Sequence, residues 1–225
     1  MIRQHKAAES DFFMFPPSET RLINLHPFYG FRAVAKHPLN LNAGTSVTRS
    51  LTLMASLTGL NVATRVVLAG GPPNVKPVAF LCLTAGIIGG PVTGFVVGLM
   101  SMLISDIYFG AGYWTIIDSA SMGLIAFLAG LLWNRRASMK RAELALGGFL
   151  LTAIYDVATS VMPAWIFGYS WWIAVLMLYV PFLAGFGVVY PFGFVHELTT
   201  AVLMVAIGPT VISRVRQLAN HDTKI

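Results

Sequence analysis

Charge is what this sequence has least of. Charged residues make up 11% of the 225 residues, against about 25% in an ordinary soluble domain. A soluble fold so poor in charge would expose apolar surface and aggregate, which excludes that class. Cysteine is nearly missing too, and the single Cys82 excludes a disulfide scaffold. Several chemical signatures are absent. No G-x-x-x-x-G-K-[ST] loop occurs, so the chain does not hydrolyse ATP in the P-loop manner. No G-x-S-x-G elbow occurs, nor an H-E-x-x-H pair. His196 is the only histidine in the apolar stretches, which argues against a histidine-rich metal site. The two halves show no obvious inverted repeat of the kind many secondary transporters carry.

What is present is apolar. Hydrophobic residues are 56% of the chain and the mean hydropathy is +0.72, values of a polytopic membrane protein. The net charge is +6. All Lys and Arg except Arg65 and Lys76 fall in three short zones, residues 1–49, 134–142 and 214–225. That is the positive-inside pattern of membrane topology, not the basic face of a nucleic-acid-binding protein.

A spanning helix needs about 20 mostly apolar residues. Segments near 50–69, 76–90, 92–109, 115–133, 143–163 and 194–213 qualify as six expected transmembrane helices, the second being short. Residues 1–47 lack the compact apolar core of a signal peptide and read as a cytoplasmic tail, with or without an interfacial stretch, or equally as a disordered tail. Residues 48–213 form the expected all-α membrane domain, and 214–225 a short cytoplasmic tail. The stretch 170–190 is apolar enough to span, but Pro181, Gly185, Gly187 and Pro191 interrupt it. Parity arbitrates. Six spans put all three basic zones on one side, whereas seven would place Arg214 and Arg216 opposite the rest. Residues 165–192 then form an outer segment, re-entrant or lying on the membrane surface.

This topology places seven ionisable groups in the outer half of the membrane: Arg65, Lys76, Asp106, Asp118, Asp156, His196 and Glu197. Such groups are costly in lipid, so they face a cavity or pair with each other. One polar cavity open to the outside accounts for their shared depth. The plainer alternatives are an ion pair of Arg65 with Asp106 or Asp156, and a Lys76 that reaches the headgroups. Aromatics gather on the same side, among them Tyr113, Trp114, Trp165, Trp171 and Trp172. They suit an interfacial belt and equally the wall or lid of a small-molecule pocket. Small residues recur every four positions at Ala55, Gly59 and Ala63, and again at Gly94 and Gly98. Such stripes let helices approach closely. For Gly94 and Gly98 ordinary packing is the preferred reading; for the first stripe a docking surface for another membrane subunit competes with it.

Several runs resemble the substrate-binding (S) component of energy-coupling factor (ECF) vitamin transporters. They are Pro73-Asn74-Val75-Lys76-Pro77-Val78, then Gly86, Gly90-Pro91, Gly94-Phe95 and Gly98. Phe109-Gly110 with Trp114-Thr115, the stretch Gly123–Leu131, and Pro191–Glu197 with Gly208-Pro209 continue the likeness over residues 50–213. The resemblance implies a six-helix bundle in a prokaryotic cell (inner) membrane that captures a vitamin from outside. It implies docking to a membrane coupling (T) subunit driven by two cytoplasmic ATPases, which use the ATP; this chain binds no cofactor and no nucleic acid. The family's small-residue docking motif falls on Ala55, Gly59 and Ala63, with Gly where Ala is usual. Asn74 joins the expected binding residues. Cobalamin or a related precursor is the favoured substrate, with riboflavin-type compounds next. Cys82 could then ligate cobalt, although a lone buried Cys is more often a packing residue. Two other functions stay open: a stand-alone or proton-coupled carrier using Asp156 or Glu197, and, ranked below it, an intramembrane enzyme using Asp106, Asp118 or Asp156 as acid and base.

Overall fold

A computed structural model describes residues 44–180, 182–184, 188–190 and 192–221. Most of the expected N-terminal tail, and the chain beyond residue 221, lie outside them. The described residues form eight helices and one small hairpin. The helices are α1 (Gly44–Val67), α2 (Val78–Gly89), α3 (Pro91–Phe109), α4 (Tyr113–Trp133) and α5 (Arg141–Ile166), followed by α6 (Trp171–Tyr179), α7 (Phe192–Ala206) and α8 (Gly208–His221). The antiparallel strands β1 (Phe182–Ala184) and β2 (Val188–Tyr190) lie between α6 and α7, with Leu183 opposite Val189.

Helices α3, α4 and α5 are each long and apolar enough to cross a membrane. A fourth candidate exists if α7 and α8 are one span, bent by 52°. The bend has a local cause. Pro209 lacks an amide hydrogen and suits only a first helical turn, so α7 stops at Ala206 and α8 starts again at Gly208. The expected span 194–213 is therefore broken rather than continuous. The expected span 76–90 is the 12-residue α2. At about 1.5 Å per residue it falls well short of a hydrocarbon core about 30 Å thick. α1 has the length, 24 residues, but Arg49, Arg65 and several Thr and Ser residues keep it out of the strongly apolar class.

α2 is instead the buried centre of the bundle. Ala79, Cys82, Leu83, Ala85 and Ile87 are inaccessible, and α2 packs on α1, α3, α4, α5, α7 and α8. Glycine permits the tightest crossings. A methyl group at Gly94 would lie 2.5 Å from the Ala126 carbonyl oxygen, and one at Gly98 2.7 Å from that of Met122. Gly86 meets the same Ala126 carbonyl from α2. The α2–α3–α4 core is thus packed backbone to backbone, as small-residue stripes allow.

The distribution of polarity differs from that of a soluble bundle. Val92, Ile104, Ile107, Ile116, Leu124, Leu131, Leu146 and Leu150 are exposed on the helix exteriors. Asn61, Thr84, Ser101, Ser105, Asp106, Thr152, Asp156, Glu197 and Thr200 are buried. An apolar exterior around polar helix contacts is compatible with a multi-pass membrane protein, in which lipid takes the place of water.

One end of the bundle is basic and closed. There Arg216 of α8 donates to the carbonyl oxygens of Ile87, Trp133, Asn134 and Arg136. These include orphan carbonyls at the C-termini of α2 and α4, where a cation is favoured by the helix dipole. Asn134 reinforces the junction by donating to Ile87 and Ile88. Glu143 accepts from the Trp133 indole at 2.8 Å and pairs with Arg136.

Candidate functional site

The opposite end of the bundle holds a cavity of about 420 Å³. Seven helices and a loop build it. α1 contributes Arg65, and the loop before α2 contributes Asn74 and Lys76. α4 contributes Trp114, Asp118 and Met122. α5 contributes Tyr155, Asp156, Thr159 and Ser160, and α7 contributes His196. Val78, Met102 and Leu178 supply apolar wall.

Its acidic and basic side chains fall into two sets. The first is already partnered. Arg65 donates to Asp106 Oδ1 at 2.5 Å and to the Ser105 hydroxyl, which ties α1 to α3, and its guanidinium lies 5.7 Å from the Phe109 ring centre. His196 Nδ1 lies 2.9 Å from Asp156 Oδ1 and 3.1 Å from Oδ2, which ties α7 to α5. The Tyr155 ring meets the imidazole edge-on at 5.9 Å. The second set is Lys76 and Asp118. Among the described residues neither has an ion-pair or hydrogen-bond partner, although they line the same cavity. In the loop, burial and then the nearby Arg65 charge hold the Lys76 ammonium below the ordinary lysine range.

The loop itself is fixed by Asn74. Its φ of 60° is left-handed, a conformation asparagine tolerates better than most residues. Its side-chain amide donates to the Phe192 carbonyl at 2.8 Å, bringing the α1–α2 loop against the start of α7.

Of the residues singled out in the sequence, the structure brings Arg65, Asn74, Trp114, Asp118, Asp156 and His196 to the cavity wall. Asp106 stands behind Arg65, and its Oδ2 has no hydrogen-bond partner among the described residues. Glu197 is buried and accepts a 2.6 Å hydrogen bond from the Tyr179 hydroxyl, which latches α6 to α7. Tyr113, Trp165, Trp171 and Trp172 do not line the cavity and are exposed, Trp165 by 78%. Tyr113 packs edge-on against Trp114 and Phe167. Their exposure suits an interfacial belt. Cys82 is buried in the core, receives a 2.9 Å hydrogen bond from Asn61 and does not line the cavity. Among the described residues no group of His, Cys, Asp and Glu could hold a metal ion.

Tyr155, Thr159 and Ser160 escaped the sequence reading. The signal was there: Thr152, Tyr155, Asp156, Thr159 and Ser160 repeat at the three- and four-residue spacing that marks one helix face. The stripe Ala55, Gly59 and Ala63 lies elsewhere, on an open face of α1. With Met100 and Ile104 of α3 it lines an apolar groove of about 600 Å³, and a methyl group at Gly59 would meet nothing.

No family model matches the chain, and no curated protein or solved structure matches it.

Proposed function

We propose that this chain is the substrate-binding subunit of an ATP-driven importer of the energy-coupling factor type. In this reading the chain crosses a prokaryotic cell membrane six times, counting α2 and the bent α7–α8 pair, with both termini in the cytoplasm. The cavity opens outward, captures a vitamin-class molecule and does no chemistry on it. A coupling subunit docks along Ala55, Gly59 and Ala63, and two partner ATPases supply the work.

The observation that carries the reading is the cavity. A bundle with an apolar exterior concentrates Arg65, Lys76, Asp118, Asp156 and His196 around one space at the end opposite its basic face. Ionisable groups are costly within a membrane unless they serve a site. Polar groups that converge on one concave space mark a candidate small-molecule site, and here they make up most of the wall. The cavity's 420 Å³ lies low in the range of about 300–1,000 Å³ for such pockets. That volume suits a molecule of thiamin or riboflavin size better than a corrinoid.

The test is titration calorimetry of the purified chain, without partners, against cobalamin, cobinamide, riboflavin, thiamin and thiamin monophosphate. Stoichiometric, tight binding of one compound is the expected result. Silence across the panel, from protein shown to be folded, removes the vitamin reading. Uptake in cells lacking any coupling module would transfer the chain to the carrier class.

A further inference from the structure

The cavity's charges do not simply cancel. Arg65 is neutralised by Asp106, and Asp156 is engaged by His196. What remains is one cation and one anion, Lys76 on the loop before α2 and Asp118 in the first turns of α4. They share the cavity but do not approach within ion-pairing distance of each other, 4.0 Å. Both side chains are half-buried. A charge held away from bulk water without a counter-charge is unfavourable. Here two opposite charges line one cavity and are left unpaired.

We propose that the cavity selects a dipolar ligand: a heterocyclic molecule carrying a positive group that meets the Asp118 carboxylate and an anionic group that meets the Lys76 ammonium. This rests on the solute-binding reading of the same cavity and narrows its substrate class. Trp114, beside Asp118 in the wall, offers a face on which a cationic ring can stack. The apolar patch of Val78, Met102 and Leu178 accommodates the uncharged body of the molecule. A ligand with one charge alone leaves either Lys76 or Asp118 half-buried and unmatched. Selectivity follows from that mismatch more than from any added attraction.

Four probes separate the charge classes: riboflavin (neutral), thiamin (cation), riboflavin 5′-phosphate (anion) and thiamin monophosphate (both). Each is titrated against the full chain and against Asp118→Asn and Lys76→Gln, with thermal unfolding recorded to confirm that the variants fold. The expected result is that thiamin monophosphate binds at least tenfold tighter than any of the other three. Each variant should lose at least tenfold for that compound, and Lys76→Arg should restore most of the loss. Equal or tighter binding of a neutral or singly charged probe overturns the proposal and leaves the binding-subunit reading standing. So does binding of thiamin monophosphate that both variants leave unchanged. Silence of all four probes, together with cobalamin and cobinamide, overturns the binding reading itself and this inference with it.

Discussion

Asn74 does two jobs with one side chain. Its left-handed backbone turns the loop, and its amide holds that loop to α7 through the Phe192 carbonyl. Replacement by Ala removes the hydrogen bond and also the polar side chain that eases Asn into the left-handed region, where an ordinary L-residue pays about 1–2 kcal/mol. Asn74→Gly keeps the turn and loses only the bond. Asn74→Ala should therefore lower the midpoint of thermal unfolding in detergent more than Asn74→Gly, and both should weaken ligand binding. Equal stability of the two variants would show that the left-handed turn carries no cost here. The Arg65–Asp106 pair is a second residue-scale test. Asp106→Asn leaves a largely buried guanidinium with a neutral partner, and breaking a buried pair costs about 3–5 kcal/mol. Unfolding midpoints should fall sharply for the single variant, whereas Arg65→Met with Asp106→Leu should recover most of the loss, because no charge is then left behind. A double variant as unstable as the single one would mean that the pair, rather than the stranded charge, is what the fold needs.

Elements, more than single residues, show what a sequence can and cannot carry. Hydropathy located every long helix, and Gly208-Pro209 marked the point where α7 gives way to α8. The shared end of the ionisable groups was also legible, since helix direction and the positions of Lys and Arg determine depth. Azimuth was not. Whether a side chain on α5 or α7 turns inward depends on helix rotation, which packing decides. For this reason the Asp156–His196 contact, forty residues apart, was invisible, and Trp171 and Trp172 were expected at a pocket they do not line. The two small-residue stripes make the same point, being alike in pattern and opposite in setting. Gly94 abuts the Ala126 carbonyl, while Gly59 faces open space. Overpacking a tight contact costs about 1–3 kcal/mol, so Gly94→Ala should destabilise the bundle and Gly59→Ala should not. In the importer reading, Gly59→Leu should leave binding intact and abolish coupled uptake. Equal thermal stability of Gly94→Ala and the parent chain would contradict the backbone-to-backbone packing of α3 on α4.

At the scale of the whole molecule, the two ends of the bundle differ in charge and in access. One end is closed by Arg216 across the C-termini of α2 and α4, and carries the exposed Arg135, Lys140 and Arg141. The other holds the cavity. Cationic loops stay on the cytoplasmic side, so the cavity should face outward. This can be checked on the intact chain. Cys82 is the only cysteine and is buried, so a Cys82→Ala background leaves no native thiol. Two exposed positions report on the two ends: Ala111 in the α3–α4 loop at the cavity end and Ser138 in the α4–α5 loop at the basic end. A membrane-impermeant maleimide should label Ala111→Cys in intact cells and Ser138→Cys only after permeabilisation. Bound ligand should leave both patterns unchanged, since neither residue lines the cavity. The reverse labelling would turn the cavity toward the cytoplasm. Capture from outside would then be impossible without a further opening, and the importer reading would fall even if the chain bound a vitamin tightly.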